Sequence, residues 1–396
     1  MITRLDRVPI PWVIAGMLAL GLAIRLAVLG LPGHTGDVTL MARWAEAMAR
    51  YGPGQFYQHD DAIYPALLYV FWPLGLLFDG AWLDHVLKAF SIPFDLAMAV
   101  VLYRITASTD QPRRALIAPA LYLFNPAVIL AGPIWGQVDA VGTLAMLLAL
   151  LAVSSGRFVA AGALVALAAL IKPHSGIVAL VVLAVAFYRW RRSGQIAPVL
   201  KVAGAGIASF ALLTIPLGLG PLDWISRISD LSALNPLASL NAPNLWGVLV
   251  GYQQPDAGLF WVGAVLLLLG FAATLVWLGD RQNLATVLTA GVLLVFAFYF
   301  LPTRVHERYL FPAMALLAPL AVSNVRVLIG YLLLSAAFAL AMLCALVSTT
   351  PFTLPEPWEG LLLQRATSVY VGLTMLATAA TLVFLLSRRS ALPSRA

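Results

Sequence analysis

The sequence predicts an all-α, polytopic integral membrane protein with about 12 transmembrane helices. Three observations carry that expectation. First, 62% of the 396 residues are hydrophobic and only 10% are charged, with a mean hydropathy of +0.92. No soluble domain of this size has that balance. Second, apolar runs of about 20 residues recur along the chain, each long enough to cross a bilayer. Helices are the expected spanning form, because they satisfy their own backbone groups in lipid. Third, the alternation and turn spacing of a membrane barrel are absent.

Taken in order, the spans are expected near 12–31, 84–106, 115–132, 139–154, 158–171, 174–188, 196–217, 258–278, 284–301, 308–323, 326–348 and 368–387. The first run lacks a small-residue cleavage site and reads as a span, not a removable signal. The segment 64–78 is apolar but short, with Pro65 at its start and Pro73 inside. Such a piece suits a re-entrant or juxtamembrane helix. Charge decides its placement. If 64–78 does not cross, 15 of the 24 Lys and Arg fall on the cytoplasmic side, among them Arg4, Arg7, Arg113, Arg114, Arg157, Arg189, Arg191, Arg192, Arg281, Arg326, Arg388 and Arg389. If it crosses, those clusters lie outside, against the positive-inside rule. The first choice puts both termini in the cytoplasm.

The chain then reads as a single transmembrane domain, 1–396, with one long outer loop at 32–83 and another at 218–258. Of the 17 Asp and Glu, 14 fall on the outer side and only Asp6, Asp110 and Asp280 on the inner. The single cysteine, Cys344, excludes an intrachain disulfide and a cysteine metal cluster. The net charge of +7 is read as span orientation, not nucleic-acid binding.

Five short segments carry candidate chemistry. HTGD (34–37) opens the first loop, and Asp37 begins a helical stretch whose Val38, Met41, Trp44, Ala45 and Met48 recur at helical spacing. Asp37 is either a helix cap or a reactive carboxylate. Further along, Tyr64 could line a site, whereas Asp60 and Asp61 read as solvating charges. GPIWGQVDA (132–140) clusters Trp135, Gln137 and Asp139 at a Gly-Pro break. An interfacial Trp is usually an anchor, but Gln and Asp at a span end need partners or a task. IKPH (171–174) places Lys172 and His174 around Pro173, where snorkelling is the plain alternative. RVHERY (304–309) crowds Arg304, His306, Glu307 and Arg308 between two apolar runs. Arginine presents a fork of donors matched to phosphate oxygens, so this segment reads as an anion site, with Glu307 orienting a cation. A charged turn with an internal salt bridge is the alternative. NAPNLWG (241–247), in the second loop, adds Asn244 and Trp246.

Together these segments resemble the GT-C class of membrane glycosyltransferases, which take a sugar from a polyprenyl-phosphate carrier. The GD at 36–37 with RWAE (43–46) and IYPALL (63–68), and VHER (305–308), are similar to the lipid-linked-oligosaccharide glucosyltransferases. NPAVI (125–129), WGQVDA and IKPH are similar in order to those enzymes and to prokaryotic mannosyltransferase-like relatives, and NAPNLWG is similar to the prokaryotic relatives. The resemblance covers nearly the whole chain. It implies a GT-C fold and an inverting hexosyltransferase moving mannose or glucose from a polyprenyl-phosphate donor to a lipid-linked or glycan acceptor. It also implies a site on the non-cytoplasmic side of a prokaryotic cell membrane. It makes Asp37 the base. It places Arg304, His306, Arg308, Lys172 and His174 on the donor phosphate. Trp135, Gln137, Asp139, Tyr64, Asn244, Trp246 and Glu307 would then border sugar or acceptor. No metal or cofactor is implied, and the expected partners are donor, acceptor and membrane lipids. Asp37-Val38 stands where protein O-mannosyltransferases have a paired Asp-Glu, which argues against a protein hydroxyl acceptor. The rival class is a transporter or flippase for a lipid-linked saccharide, for which Arg25 and Asp95 are the main intramembrane candidates.

Overall fold

The chain folds as an all-α polytopic membrane protein. A computed structural model describes residues 9–107 and 111–388. Asp6, Asp110, Arg4, Arg7 and Arg389, which enter the charge count above, lie outside the described residues. Among the described residues, eight helices are long and apolar enough to cross a membrane: Ile10–Val28, Gly80–Thr106, Arg114–Ile134, Pro173–Ser193, Ala197–Leu217, Leu259–Leu278, Val325–Thr349 and Arg365–Ser387.

The middle of the bundle is built differently. Asp139–Ser154, Phe158–Ile171, Leu284–Phe300 and Phe311–Ser323 hold 16, 14, 17 and 13 residues. At about 1.5 Å per residue these span roughly 20–26 Å, short of a hydrocarbon core of about 30 Å. Leu284–Phe300 and Phe311–Ser323 are buried along most of their length. Surrounded by protein, they need not match the lipid thickness. Irregular backbone at their ends is tolerated because protein covers it. The segment at 65–77 is a 13-residue helix, Pro65–Leu77, laid against Thr35–Tyr51, Phe158–Ile171 and Ala197–Thr214. Close approach depends on small residues: a Cβ on Gly75 would sit 2.2 Å from the Ala45 carbonyl oxygen, and one on Gly162 2.2 Å from that of Val202.

Span one, Ile10–Val28, buries little of itself and is pinned by polar contacts. Arg25 Nε meets Asp95 Oδ2 at 2.9 Å, both side chains fully buried. The Arg25 Nη1 donates to the carbonyls of Gly21 and Leu123, and the Tyr122 hydroxyl donates to Asp95 Oδ1 at 2.7 Å. Lys88 Nζ then donates to the Leu29 and Leu31 carbonyls, closing the end of the span. The two intramembrane charges thus satisfy each other and attach one helix to the bundle.

Removing one member of a buried pair strands the other charge and costs on the order of 3–5 kcal/mol. Asp95→Asn is therefore expected to lower the thermal midpoint in detergent sharply. The double variant Arg25→Met/Asp95→Leu should recover more than half of the loss. Equal midpoints for wild type and Asp95→Asn would remove the pair from the stability argument.

Candidate functional site

Four stretches far apart in sequence meet at one end of the bundle. The first is the start of Thr35–Tyr51. His34 is its N-cap, and the ring Nδ1 accepts the Asp37 backbone N–H at 3.0 Å. Asp37 is therefore not the capping residue. It sits in the first turn, where the helix dipole favours a carboxylate and its side chain is free to reach elsewhere. Its Oδ2 accepts from the Trp135 indole N–H at 2.7 Å. His34 Nδ1 also lies 3.2 Å from Asp37 Oδ2. That nitrogen already accepts a hydrogen bond, so it carries a lone pair and the contact is not a charge pair.

The second stretch presents Trp135. Helix Arg114–Ile134 breaks at Asn125-Pro126 and loosens into a π turn over Leu130–Ile134, around Pro133. Such turns are frequent at functional sites. Gly136 follows at φ +95, and a Cβ there would come within 2.7 Å of Val38. The turn faces Trp135 toward the first loop. The indole stacks on His34, with centroids 4.9 Å apart and planes 3° from parallel.

The third stretch is the junction after Phe158–Ile171. Lys172 is fully buried, and its Nζ donates to Gln137 Oε1 and Asp139 Oδ1, each at 2.7 Å. Burial pushes its pKa down and Asp139 works the other way. This lysine does not snorkel, and Gln137 and Asp139 serve it. His174 stacks on Tyr309 at 4.4 Å, with its Nε2 3.8 Å from Asp139 Oδ1.

The fourth stretch is 301–309. Arg308 Nη1 donates to Glu307 Oε1 at 2.7 Å, and Nη2 lies 3.7 Å from Asp37 Oδ1. Burial raises the Glu307 pKa and Arg308 opposes it. Burial also works to raise that of Asp37, but the Arg308 guanidinium first of all, with the Trp135 indole N–H, works the other way. The Asp37 carboxyl is held well below the usual carboxylate range. His306 is about a third exposed.

The structure thus brings together Asp37, Trp135, Gln137, Asp139, Lys172, His174, His306, Glu307 and Arg308, with Tyr64 at the side, 6.0 Å from Lys172 Nζ. It places three expected site residues elsewhere. Arg304 pairs with Asp256 at 2.9 Å and donates to the Ser232 carbonyl, joining the second loop to this segment. Asn244 caps Leu245–Leu249 and donates to the Pro302 carbonyl, and the Trp246 indole donates to that of Leu301. In the structure these three side chains are engaged in supporting the 301–306 backbone. Asp60 and Asp61 pair with Arg43 and Arg227. Sequence reasoning passed over His34 and Tyr309. The i, i+3 spacing of His34 to Asp37 is the signal that could have found the first. Among the described residues, no three His, Cys, Asp or Glu side chains converge as a metal site requires.

A family model described as GPI transamidase subunit PIG-U matches residues 37–262, more than half of the chain. No curated protein matches it. The matched region runs through Asp37, WGQVDA, IKPH and NAPNLWG, most of the segments behind the glycosyltransferase resemblance, while VHER lies beyond it. That resemblance is corrected accordingly. Hexose transfer from a polyprenyl-phosphate carrier, its mannosyltransferase and cell-envelope glycan associations, its donor and acceptor, and the flippase alternative all fall with it. The expectation of a prokaryotic membrane leaned on the same resemblance and loses its support, while the multi-pass membrane character stands.

Burial lowers the pKa of both His34 and His306 below the ordinary 6.5, with Asp37 opposing it and Arg308 adding to it. The unfolded chain then binds protons that the folded chain refuses. Stability is full above about pH 6.5 and is lost as pH falls below it. The thermal midpoint in detergent should drop between about pH 6.5 and pH 5, and His306→Gln should flatten the drop. A midpoint that is flat over that window would contradict the assignment.

Proposed function

The chain belongs to the PIG-U family, and from that premise we propose that it is a membrane subunit that binds the head group of a glycosylated phosphatidylinositol within a transamidase-type protein complex. The observation that carries this reading is Arg308. Its guanidinium is buried except for an edge, it leans on Glu307, and it turns Nη2 toward the partly exposed Asp37, while His306 lies on the other side of Glu307 at 4.0 Å. A planar fork of donors in a partly dry setting suits a phosphate oxygen. His34, partly exposed and stacked on the fully buried Trp135 indole, offers its outer face to a sugar ring. Asp37, His34, Tyr64 and His306 would border the head group, with Trp135 beneath them. Gln137, Asp139, Lys172, His174 and Glu307 would hold the wall behind it.

The same proposal assigns sides. Taken as a single transmembrane domain, 1–396, the chain would carry loops 32–83 and 218–258 and the Arg308 cluster on the face opposite Arg113, Arg114, Arg191 and Arg192. Both termini would lie with those arginines, as charge asymmetry favours. The two loops touch, since the Trp224 indole donates to the Ile63 carbonyl, and the second loop also meets the 301–309 segment, where Leu240 N–H donates to the Val305 carbonyl.

Two measurements test this. Arg308→Lys keeps the charge but loses the fork. It should weaken binding of a short-chain glycosylated phosphatidylinositol by about tenfold or more, since hydrogen bonds to charged groups contribute about 1.5–3 kcal/mol. Unchanged affinity would overturn the role given to Arg308. For sidedness, Cys344→Ser supplies the background. His59→Cys and Gln253→Cys should then label from one side of the membrane and Gln111→Cys from the other. Labelling of all three from one side would overturn the topology.

A further inference from the structure

A cleft of about 130 Å³ opens where the last two spans, Val325–Thr349 and Arg365–Ser387, meet the second loop. None of its lining residues belongs to the Arg308 cluster. Its polarity is graded along the helices. Ala341 and Ala345 of one span and Val371 of the other line the deep part, whereas Ser348 and Ser368 line the part nearest the helix ends. Asn241 and Tyr252 enter from the second loop. Val325–Thr349 is about 37 Å long, so its ends reach the head-group layers that flank a hydrocarbon core of about 30 Å. Ser348 then stands at head-group level, and Ala341, about 10 Å further in, stands among the acyl chains. Leu340, Tyr370 and Leu373 beside the cleft are exposed, and on membrane spans that surface faces lipid. The second loop seats on the last span, where a Cβ on Gly372 would lie 2.4 Å from Val248 Cγ2. Its Leu240 and Asn241 also pair with His306 through the backbone.

We propose that this cleft holds one acyl chain of a bilayer phospholipid, laid along Val325–Thr349 with its glycerol end at Ser348 and Ser368. Three features select that occupant. The order from hydroxyl-lined to apolar matches the order from ester to chain in a phospholipid. Size excludes a protein segment, since a cavity of about 150 Å³ takes a benzene-sized guest and a helix is about 10–12 Å across. Entry is from the lipid side, past Ser348 and Leu363, both exposed. The small side chains of Ala341 and Ala345 leave the groove that the chain fills, and filling it removes apolar surface from contact with water or loose detergent. An ordered chain there touches both spans as well as Asn241 and Tyr252, so it fastens the second loop to the last two helices. Because that loop supports the 301–306 backbone, the lipid steadies the loop end from outside the bundle. The argument is independent of the head-group reading.

Photolabelling in phosphatidylcholine nanodiscs tests this, with a phosphatidylcholine that carries a diazirine on one chain and peptide mapping of the product. Label should concentrate on 341–348 and 368–371. It should exceed that on the lipid-exposed Leu268 and Leu269 by about tenfold or more, the ratio that a preference of about 1.4 kcal/mol gives. Ala341→Leu fills the deep part of the cleft and should bring its label down to the level on Leu268. In delipidated protein in maltoside, added phosphatidylcholine should raise the thermal midpoint as its concentration rises, and Ala341→Leu should remove that rise. Should that variant fail to fold, the wild-type label and midpoint decide alone. Equal label on the cleft and on Leu268 overturns the proposal, as ordinary annular contact only. Concentrated label with a midpoint that ignores added lipid overturns the fastening role. A phosphatidylinositol probe that labels the cleft where the phosphatidylcholine probe does not overturns it as well, since the cleft would then serve the lipid of the head-group site.

Discussion

Lys172 and Arg308 are charges held out of water, and the arrangement of the loop end follows from the need to neutralise them. A buried cation without a carboxylate is far more costly than the pair. Each is met by its own acid, Asp139 or Glu307, at 2.7 Å. Those contacts fix the order in which segments must meet. Asp139 starts one short central helix and Lys172 ends the next, so their bond ties the two helices at a single end. Glu307 and Arg308 stand at the entrance of Phe311–Ser323, and Arg308 reaches across to Asp37 in the first loop. Trp135 then closes the circuit through Asp37 Oδ2. The second loop braces the assembly from behind, through Arg304 with Asp256 and through Trp246 and Asn244 on the 301–302 backbone.

Short central helices make this possible. A bundle of full-length spans would carry its ends to the membrane surface, where polar groups are wet. Here the inner helices stop early and longer ones surround them. The charged turns at 172–174 and 307–309 are therefore enclosed by protein, with Lys172 fully buried. Enclosure is what turns ordinary basic turns into paired, oriented groups, since low local polarity strengthens each bond and penalises each unpaired atom. The Arg25–Asp95–Tyr122 group obeys the same rule at a different place, where both carboxylate oxygens have a donor and the group fastens a helix, with only Arg25 Nη2 left without a partner.

Much of the architecture was legible in the sequence, because lipid imposes a strong and simple constraint on composition. Apolar runs and their basic flanks could be read directly, and Pro65 and Pro73 marked 65–77 as a shorter helix of another kind. The candidate cluster was legible as segments but not as partnerships. Lys172 beside Pro173 offers no local sign that it will be buried on Gln137 and Asp139, some 35 and 33 residues earlier. Arg304 and Arg308 look equivalent in RVHERY. What divides them is the backbone: Arg304 lies at φ +61, turned toward Asp256, and Arg308 lies past the turn, facing inward. Asn244 and Trp246 look like binding groups because their types are polar and aromatic, yet carbonyls at a helix end use them up. Short motifs also misled about kinship. Asp37, WGQVDA and IKPH record the chemistry of a polar helix end, which several kinds of membrane protein need, and only the longer match separates them.

The family match begins at Asp37 and stops at residue 262, so it includes Asp37, Trp135 and the Lys172–Asp139 pair but not the 304–309 turn. The cluster therefore has two parts of different standing. The matched part supplies the Trp135 indole and the Asp37 carboxylate. The unmatched turn supplies the guanidinium and the partly exposed imidazole of His306. Their junction is the 3.7 Å contact between Asp37 Oδ1 and Arg308 Nη2, which ties the first loop to the 304–309 turn by opposite charge.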